Sequence, residues 1–370
     1  MRSPVIIALY FGRRFLASIL IVAAGLTGLV ALFDFLELLR ESATAPHSTF
    51  AIIVEIELLR LPWSFMQIIP FAVLLGGIYA FWRLARSSEL IVTRAAGISA
   101  FQFLTAPVLT AGFLGGFCTT AVSPLSAAMY GRAGELYNSY FNPSGGPLSL
   151  NGGSLWVRQA DTGLVPDGVA VMHAGNVWLH QQELHAQTVS ILRLSQENDL
   201  LQRVDATQAT LSPGTWFLQN VTILEPDADP RHLPIMNFPT DLTINRVQES
   251  FASPNALSFW ELPGFIRLLK RSGFSTTQHE LVFQTLLVLP LLCATMALVA
   301  AGFSMRPSRR GGVGIMIGMG VGFGFALFMI TEIANQFGNS GAIPVTLAAW
   351  APALAGLFFA LALLLHLEDG

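Results

Sequence analysis

The chain has 370 residues, of which 53% are apolar and only 12% are charged, and its formal net charge is −3. An ordinary soluble domain carries roughly 25% charged residues, so half of the usual solvating surface is missing, and the mean hydropathy is +0.57. These values exclude a disordered or fibrous protein and argue against a cytosolic globular enzyme. The charge gives no reason to expect nucleic-acid binding. The composition predicts an integral membrane protein.

Six apolar stretches are each long enough to cross a bilayer as a helix, which takes about 20 residues. They run over 15–33, 63–82, 100–122, 282–303, 312–330 and 345–365. The first stretch exceeds the apolar core of a typical signal peptide, so we expect it to remain as a span. A block of different character separates the first three spans from the last three. The predicted domains are therefore 1–130, 131–262 and 263–370.

Arginines beside the spans predict the orientation, because cytoplasmic loops are enriched in Lys and Arg. They precede the first span and lie in the loops after the second and fourth spans, as Arg2, Arg13, Arg14, Arg83, Arg86, Arg94, Arg306, Arg309 and Arg310. The opposite loop 336–344 carries no basic residue. Arg40 and Arg60, in the connection 34–62, are accompanied by acidic residues. We expect both termini in the cytoplasm and the 131–262 domain outside.

From about Ser154 the apolar residues alternate with a period of two, which is typical of half-buried strands. The pairs that share a strand face are Val169 and Val171, Val177 and Leu179, Val189 and Ile191, Val204 and Ala206, Ala209 and Leu211, Trp216 and Leu218, and Val221 and Ile223. Ser212-Pro213-Gly214 predicts a hairpin turn. The predicted fold is a membrane α-helical protein with six spans, three plus three, and an inserted all-β domain that resembles a sandwich or jelly roll.

The exterior domain has two interpretations. It is either a folded plug that stabilises the outer side of the membrane domain, or an open sandwich that accepts a lipid or a strand from a partner, since exposed sheet edges dock strands readily. Composition alone does not choose between them.

The sequence contains no motif for catalysis. A P-loop needs a lysine that reaches the nucleotide phosphates, but the only lysine of the chain, Lys270, lies between Leu269 and Arg271. His180, Glu183 and His185 match no zinc-ligand spacing. Both cysteines fall in apolar runs, so no disulfide framework is predicted. We therefore expect no enzymatic activity, no metal and no cofactor in this chain.

Glycines recur through the fifth span, at positions 314, 318, 320, 322 and 324. No strand precedes them, so a dinucleotide-binding loop is excluded. Glycines spaced by four instead let helix backbones approach closely. The neighbouring helix can belong to this chain or to a partner.

A few ionisable groups flank the spans, where such groups are functional candidates. Asp34, Glu37 and Arg40 follow the first span, and Glu332 ends the fifth. Interfacial solvation explains them equally well. The central thirds of all six spans are free of charge, which argues against an ion-coupled transporter.

The loop 83–99 is too polar to span the membrane and is patterned like a short amphipathic helix. Ser87 or Ser88 can cap its N-terminus, where Glu89 also favours the helix dipole, and Gly97 can end it. The helix either lies on the membrane surface or docks into a partner protein on the cytoplasmic side.

Ser88-Glu89-Leu90 followed by Arg94-Ala95-Ala96-Gly97-Ile98-Ser99 resembles the coupling helix of the lipopolysaccharide export permeases, the LptF/LptG family. The three-plus-three layout with an exterior β domain is similar to theirs. So are the segments 155–158, 268–273, 279–281, 338–344 and 347–352. The region of Trp156 and the segment 270–273 favour the LptG branch.

This resemblance implies an inner-membrane subunit of an ATP-driven exporter of lipopolysaccharide. Its implied partners are a dimer of LptB-type ATPase, an LptF-type homologous permease, an LptC-type periplasmic bridge protein, lipopolysaccharide and membrane lipids. ATP and Mg would be bound by the ATPase alone. The residues that would couple to the ATPase are Arg86, Ser88, Glu89, Leu90, Arg94 and Gly97. The first and fifth spans would line the lipid cavity and its gate, with Phe33, Asp34, Glu37, Arg40, Gly318, Gly322, Phe325 and Glu332 as candidates.

The chain departs from the family pattern after its first span. Some relatives carry several lysines there that meet the phosphates of lipid A, whereas this stretch keeps only Arg40. Either a phosphate clamp is absent or the transported lipid A carries fewer phosphates. The rival interpretation of the whole chain is a non-transporting membrane scaffold whose exterior domain binds a partner.

Overall fold

A computed structural model describes the chain over residues 3–42, 49–86, 100–141, 149–151, 154–161, 168–180, 183–195, 199–212, 214–226, 228–240, 242–243, 253–271, 275–304 and 313–368. Contacts divide the chain into two compact units. The helical unit contains Met1–Tyr137, Asn255–Leu262 and Thr277–Gly370, and the β unit contains Asn138–Pro254 and Pro263–Thr276.

Eight α-helices lie in the described parts of the chain. They are α1 (Ser3–Ser42), α2 (Phe50–Arg86), α3 (Ala100–Phe117), α4 (Ser123–Phe141), α5 (Leu262–Arg271), α6 (Thr277–Ser304), α7 (Val313–Asn339) and α8 (Val345–Glu368). One π-helical turn, Cys118–Val122, joins α3 to α4 without a break.

Six of the helical stretches are long and apolar enough to cross a membrane, which confirms the six predicted spans. They are Tyr10–Ser42, Phe50–Leu84, Phe103–Phe141, Thr277–Ser304, Ile317–Asn339 and Val345–His366. Several of these helices are longer than predicted, and α2 begins at Phe50 rather than near residue 63. Glu55, Glu57 and Arg60 lower the hydropathy of that first part, so an apolar window stops before it although the helix continues.

The interior of the helical unit is built around α2 and α6. About two thirds of their apolar windows are buried, 67% and 61%, against 22% for the span in α1 and 17% for the span in α7. Close approaches at glycine make this packing possible, since the backbone of Gly76 lies against Ile19 and that of Gly115 lies against Pro290. The outer helices α1 and α7 both pack on α2 and leave much of their own surface uncovered.

The π-helical turn is the point where the segment before α5 docks. The indole Nε1 of Trp260 donates to the Thr120 carbonyl at 3.1 Å, and the backbone N–H of Phe259 donates to Ser123 Oγ at 3.0 Å. The ring of Phe259 also stacks on that of Phe283 in α6, with centroids 5.3 Å apart. A π-helical turn displaces backbone carbonyls from the regular ladder, and here one of them accepts this bond.

Seven antiparallel strands form a single sheet in which each strand pairs with the next along the chain. They are β1 (Ser149–Asn151), β2 (Ser154–Ala160), β3 (Val169–His180), β4 (Glu183–Leu194), β5 (Leu200–Ser212), β6 (Thr215–Leu224) and β7 (Arg231–Pro239). The predicted all-β insertion is confirmed. The predicted hairpin is also present, since Ser212 pairs with Thr215 and Gly214 has a φ of +80°.

One line of irregularities crosses the sheet from β3 to β7. One residue of each strand forms no ladder pair at the same level, although the register continues unchanged across it, and these residues are Gly175, Thr188, Thr207, Asn220 and Pro234. Thr188 and Asn220 have positive φ angles of 54° and 52°. Buried residues on both sides of the line belong to one core, so the sheet folds over itself and encloses that core as a sandwich would, although its strands run in meander order.

Some of the predicted pairs of alternating residues lie in the same strand. The pairs Val204/Ala206 and Ala209/Leu211 lie in one strand, β5, and the pairs Trp216/Leu218 and Val221/Ile223 lie in β6. In β3 the core-facing residues are Ala170, Met172 and Ala174, whereas Val169 and Val171 occupy the other face. Both faces of this strand begin with apolar residues, so alternation alone did not identify the buried one.

A buried polar network closes one end of this core. Arg193 of β4 forms an ion pair with Asp161 through two hydrogen bonds, and its Nη1 donates to Gln202 Oε1 at 3.0 Å. Gln202 in turn donates to Glu225 at 2.8 Å, and Arg231 donates to the same carboxylate at 3.1 Å. These donors hold the pKa of Glu225 below its ordinary value. The network links the ends of five strands where the apolar core stops.

Candidate functional site

Phe33, the apolar cavity candidate on α1, lies in an uncovered apolar face of the helix. Phe33 is 63% exposed, and Leu29 and Leu36, which are also exposed, lie four and three residues from it on the same side of the helix. In a soluble protein such a surface would mark an interaction site. Here it can meet lipid or a neighbouring helix.

The four candidates on α7 also share one face. Gly318, Gly322, Phe325 and Glu332 are all exposed, and their spacings of four, three and seven residues place them along one side of the helix. The face is apolar apart from Glu332, whose carboxylate accepts a hydrogen bond from Gln336 at 3.1 Å. The structure therefore places the four α7 candidates on one exposed face of the helix.

The glycines of α7 divide into two sets. A Cβ on Gly324 would come within 1.8 Å of Leu74 Cδ2, and one on Gly320 within 3.0 Å of Ile78 Cδ1, so these two pack on α2. A Cβ on Gly314, Gly318 or Gly322 would meet nothing within 4 Å. Gly320 and Gly324 thus allow close packing within the chain. Gly314, Gly318 and Gly322 leave a flat strip without side chains on the uncovered face.

Two of the three charged candidates at the end of α1 line a small cavity. It has a volume of about 230 Å³ and is lined by Asp34, Glu37, Leu38, Glu41, Arg60 and Tyr137. The Tyr137 hydroxyl donates to Glu41 Oε2 at 3.0 Å, and the Arg60 guanidinium lies 5.4 Å from the centroid of the Tyr137 ring. Arg40 is exposed and lies outside this lining.

Sequence analysis did not identify three of the groups gathered here as site residues, namely Glu41, Arg60 and Tyr137. Tyr137 comes from α4, about one hundred residues away from α1 in sequence. The acidic residues that accompany Arg40 and Arg60 were the available signal. That signal could not show that α1, α2 and α4 meet at this point.

The loop predicted to couple to an ATPase begins where α2 ends. Arg86 is the last residue of α2, and its guanidinium lies 5.6 Å from the centroid of the Trp82 ring. Ser88, Glu89, Leu90, Arg94 and Gly97 lie outside the described residues. Their predicted helix, about residues 84–97, stays a prediction.

The histidine-rich hairpin of the β unit has ordinary contacts. His180 pairs with Glu183 across the turn, His185 Nδ1 lies 3.2 Å from Thr210 Oγ1, and the His185 ring stacks on Trp178. Over the described ranges, no three His, Cys, Asp or Glu side chains lie close enough to hold a metal ion.

Six helices able to span a membrane, with a folded antiparallel sheet inserted between the third and the fourth, define a multi-pass helical membrane protein with an inserted β domain. The family model for lipopolysaccharide export system permease LptF/LptG matches residues 9–366. The chain therefore belongs to the LptF/LptG family of permeases, whose members are non-catalytic subunits of a transport system, and it is a multi-pass inner-membrane protein.

Similar proteins point to the same branch of the family as the sequence segments do. The lipopolysaccharide export system permease protein LptG of Haemophilus influenzae is 25% identical over 351 residues, which cover 93% of this chain and 94% of that protein. LptG of Escherichia coli K12 is 23% identical over 374 residues, which cover 96% of this chain and 97% of that protein.

Proposed function

We propose that this chain is the LptG-type membrane subunit of an ATP-driven exporter that extracts lipopolysaccharide from the outer leaflet of the inner membrane. The lipid passes from the membrane domain to the β domain and then to a periplasmic bridge protein. In this proposal both termini face the cytoplasm and the β domain lies in the periplasm, as the distribution of arginines predicts.

The uncovered faces of α1 and α7 are the observation that carries this proposal. Both helices pack on α2, and both present exposed aliphatic and aromatic side chains around Phe33 and Phe325. A permease that moves a lipid needs an apolar wall that is open to the membrane. The same faces allow a second, homologous permease to complete the cavity. The flat strip of Gly314, Gly318 and Gly322 would let a helix of that permease approach closely.

Energy must come from a partner, because the only lysine of the chain is not placed in a P-loop. We assign ATP and Mg to an LptB-type ATPase dimer. The loop after Arg86 would transmit its closure, with Glu89 and the neighbouring residues in a groove of the ATPase. Closure would narrow the cavity and push the lipid towards the β domain and an LptC-type partner.

The experiment is ATP-dependent release of lipopolysaccharide from vesicles that contain this chain with its homologous permease and the ATPase. Wild type should release lipid only when ATP is present. Glu89→Ala should lower both the amount of ATPase retained and the rate of release, because it removes the acidic group of the coupling loop. Glu55→Ala removes an exposed carboxylate of α2 and should behave as wild type.

Release that does not require ATP would overturn the proposal, and so would Glu89→Ala complexes that retain the ATPase and release lipid at the wild-type rate. Absence of release from any variant, with the β domain still binding its partner, would favour the scaffold interpretation.

A further inference from the structure

Glu57 of α2 is a buried acidic side chain without a hydrogen-bond partner. It is only 6% exposed, and neither of its carboxyl oxygens forms a hydrogen bond among the described residues. Ile53 and Ile56, which precede it on the same helix, are also buried. An ionised carboxylate in such surroundings lacks both water and a donor, which strongly disfavours the charged form. The observed geometry therefore suits the protonated, neutral side chain.

The charged groups that act on Glu57 are Asp34 of α1 and Arg60 of α2. A negative charge at Asp34 opposes a second negative charge at Glu57, whereas the positive charge of Arg60 favours it. Arg60 makes no hydrogen bond with Glu57, and its guanidinium lies 5.4 Å from the centroid of the Tyr137 ring. The other titratable groups around this part of α1 and α2 are Glu37 and Glu41 of α1 and Tyr137 of α4.

Water can approach Glu57 through the cavity at the end of α1. Glu57 is not among the residues that line this cavity, but Asp34 and Arg60 both line it and both act on Glu57. A proton that leaves Glu57 therefore has a path to water past Asp34. The buried side chain can exchange its proton with the solution.

The two helices are held together differently at the two ends of their contact. Near the start of α1, the backbone of Ile19 lies directly against Gly76. Near its end, side chains make the contact: the Phe35 ring meets the Phe50 ring edge-on with centroids 5.9 Å apart, and Leu38 is 2% exposed. Contacts between side chains can separate without any shift of the backbone at Gly76. The last turns of α1 can therefore move while the rest of the helix stays in place.

We propose that Glu57 is a pH-sensitive switch in the packing of α1 on α2. While Glu57 carries a proton, its side chain stays buried and the end of α1 stays packed. When the pH rises, the carboxyl group gives its proton to water of the cavity, and the carboxylate turns towards that water and loosens the end of α1. Because the packed state favours the protonated form, the contact is most stable at low pH and weakens as the pH rises. This inference does not depend on the proposed function.

Infrared spectroscopy of the intact chain in nanodiscs tests whether Glu57 holds a proton. The carbonyl stretch of a protonated carboxyl group is separate from the bands of carboxylates, so it reports the proton directly. At pH 6 wild type should show a protonated-carboxyl band that Glu57→Gln lacks, and this band should disappear as the pH is raised to 9. Glu55→Gln is the matched control, because it makes the same change at an exposed residue of the same helix and should keep the band.

Electron paramagnetic resonance measures the movement of α1. Spin labels are attached to Leu36→Cys in α1 and Leu58→Cys in α2, which are exposed sites, while both native cysteines are buried and escape labelling. From pH 6 to pH 9 the distance between the labels should lengthen in wild type and stay constant in Glu57→Gln. Asp34→Asn keeps the test valid where Glu57→Gln lowers the yield of folded protein. It removes the opposing negative charge, so the lengthening should begin at lower pH.

Three results would overturn the switch. The first is a Glu57→Gln spectrum that retains the full protonated-carboxyl band at pH 6. The second is a distance that changes with pH equally in wild type and in Glu57→Gln. The third is a wild-type distance that does not respond to pH, even where the band assigns a proton to Glu57. None of these results bears on the proposed function, which the release of lipopolysaccharide tests separately.

Discussion

Gly76 lies directly against the backbone of Ile19, so that a Cβ at residue 76 would approach the Ile19 Cα to 2.7 Å. The contact fixes the separation of α1 and α2 in the buried part of the bundle, where Ile19 is fully enclosed. It also sets the position of the uncovered face of α1, because the two helices cannot approach or separate independently at this point.

Gly76→Ala should therefore destabilise the helical unit by about 1–3 kcal/mol, the usual cost of overpacking. Backbone atoms of α1 would have to move, since no flexible side-chain end is available to give way. The measurement is thermal unfolding of the purified chain in detergent. Gly28→Ala is the control, because a Cβ there meets nothing within 4 Å, and better helix propensity should leave stability equal or slightly higher. A variant at Gly76 as stable as that control would contradict the packing described here.

Asp161→Ala should destabilise the β unit strongly. It leaves the guanidinium of Arg193, whose side chain is 9% exposed, without its charged partner, and breaking a buried pair costs about 3–5 kcal/mol. Hydrogen exchange of the β4 amides in the intact chain is the readout. Arg203→Ala removes a pair with Asp205, and since both side chains are substantially exposed it should cost less than about 1 kcal/mol. Similar exchange rates in the two variants would argue against a structural role for the buried network.

The segment before α5 should respond to pH through Glu261. The hydroxyl and the backbone N–H of Ser258 both donate to its carboxylate, at 2.7 and 2.9 Å, and these bonds lower the pKa of Glu261. Because the folded state favours the ionised form, the stabilisation is complete above the ordinary pKa of 4.5 and is lost as the pH falls through the lowered value.

Ser258→Ala removes one of these donors and should lower the thermal midpoint at pH 7. As the pH falls below 4.5, the difference in thermal midpoint between variant and wild type should shrink. The protonated carboxyl group of Glu261 no longer accepts charge-assisted hydrogen bonds from Ser258. Unfolding curves from pH 3 to pH 7 measure this. A difference that stays constant across the range would show that the carboxylate is not responsible.

Photo-crosslinking should identify the lipid-facing surface. A benzoylphenylalanine in place of Phe33 or Phe325 should label lipopolysaccharide, and ATP should decrease the labelling as the cavity narrows. Phe113 of α3 is similarly exposed, at 77%, and serves as the control site, where labelling should be weaker and independent of ATP. Equal, ATP-independent labelling at all three sites would mean that α1 and α7 meet only bulk lipid.

Arg40→Ala tests the remaining basic group after the first span. If Arg40 contacts an anionic part of the lipid headgroup, Arg40→Ala should lower the yield of the lipid crosslink at residue 33. The fraction of folded protein should not change, because Arg40 is exposed. An unchanged yield would exclude Arg40 from lipid capture.

The spans and the inserted β domain could be predicted because both depend on periodic burial of apolar side chains along the chain. The alternation of apolar residues shifts by one position between Ala206 and Ala209, and again between Leu218 and Val221. These shifts are also visible in the sequence. The structure shows that β5 and β6 continue through Thr207 and Asn220, and that Asn220 has a positive φ of 52°. A turn and an irregular residue within a strand interrupt the alternation in the same way, and only pairing with neighbouring strands distinguishes them.

The acidic cavity could not have been predicted with similar detail. Asp34 and Glu37 were singled out because they end an apolar run, but Arg60 and Tyr137 join them only through the packing of three helices. Similarly, the separation of Gly320 and Gly324 from Gly318 and Gly322 depends on where Leu74 and Ile78 lie. Spacing identifies which residues share a helix face and leaves open which neighbour covers that face.

Affinity purification of the tagged chain from its native membrane tests the central claim most directly. The co-eluting proteins and lipids would be identified by mass spectrometry, with a Glu89→Ala chain purified in parallel. We predict that wild type brings down a P-loop ATPase, a homologous six-span permease and lipopolysaccharide, and that Glu89→Ala loses mainly the ATPase. A wild-type chain that elutes under gentle detergent with neither ATPase nor lipopolysaccharide would contradict the account.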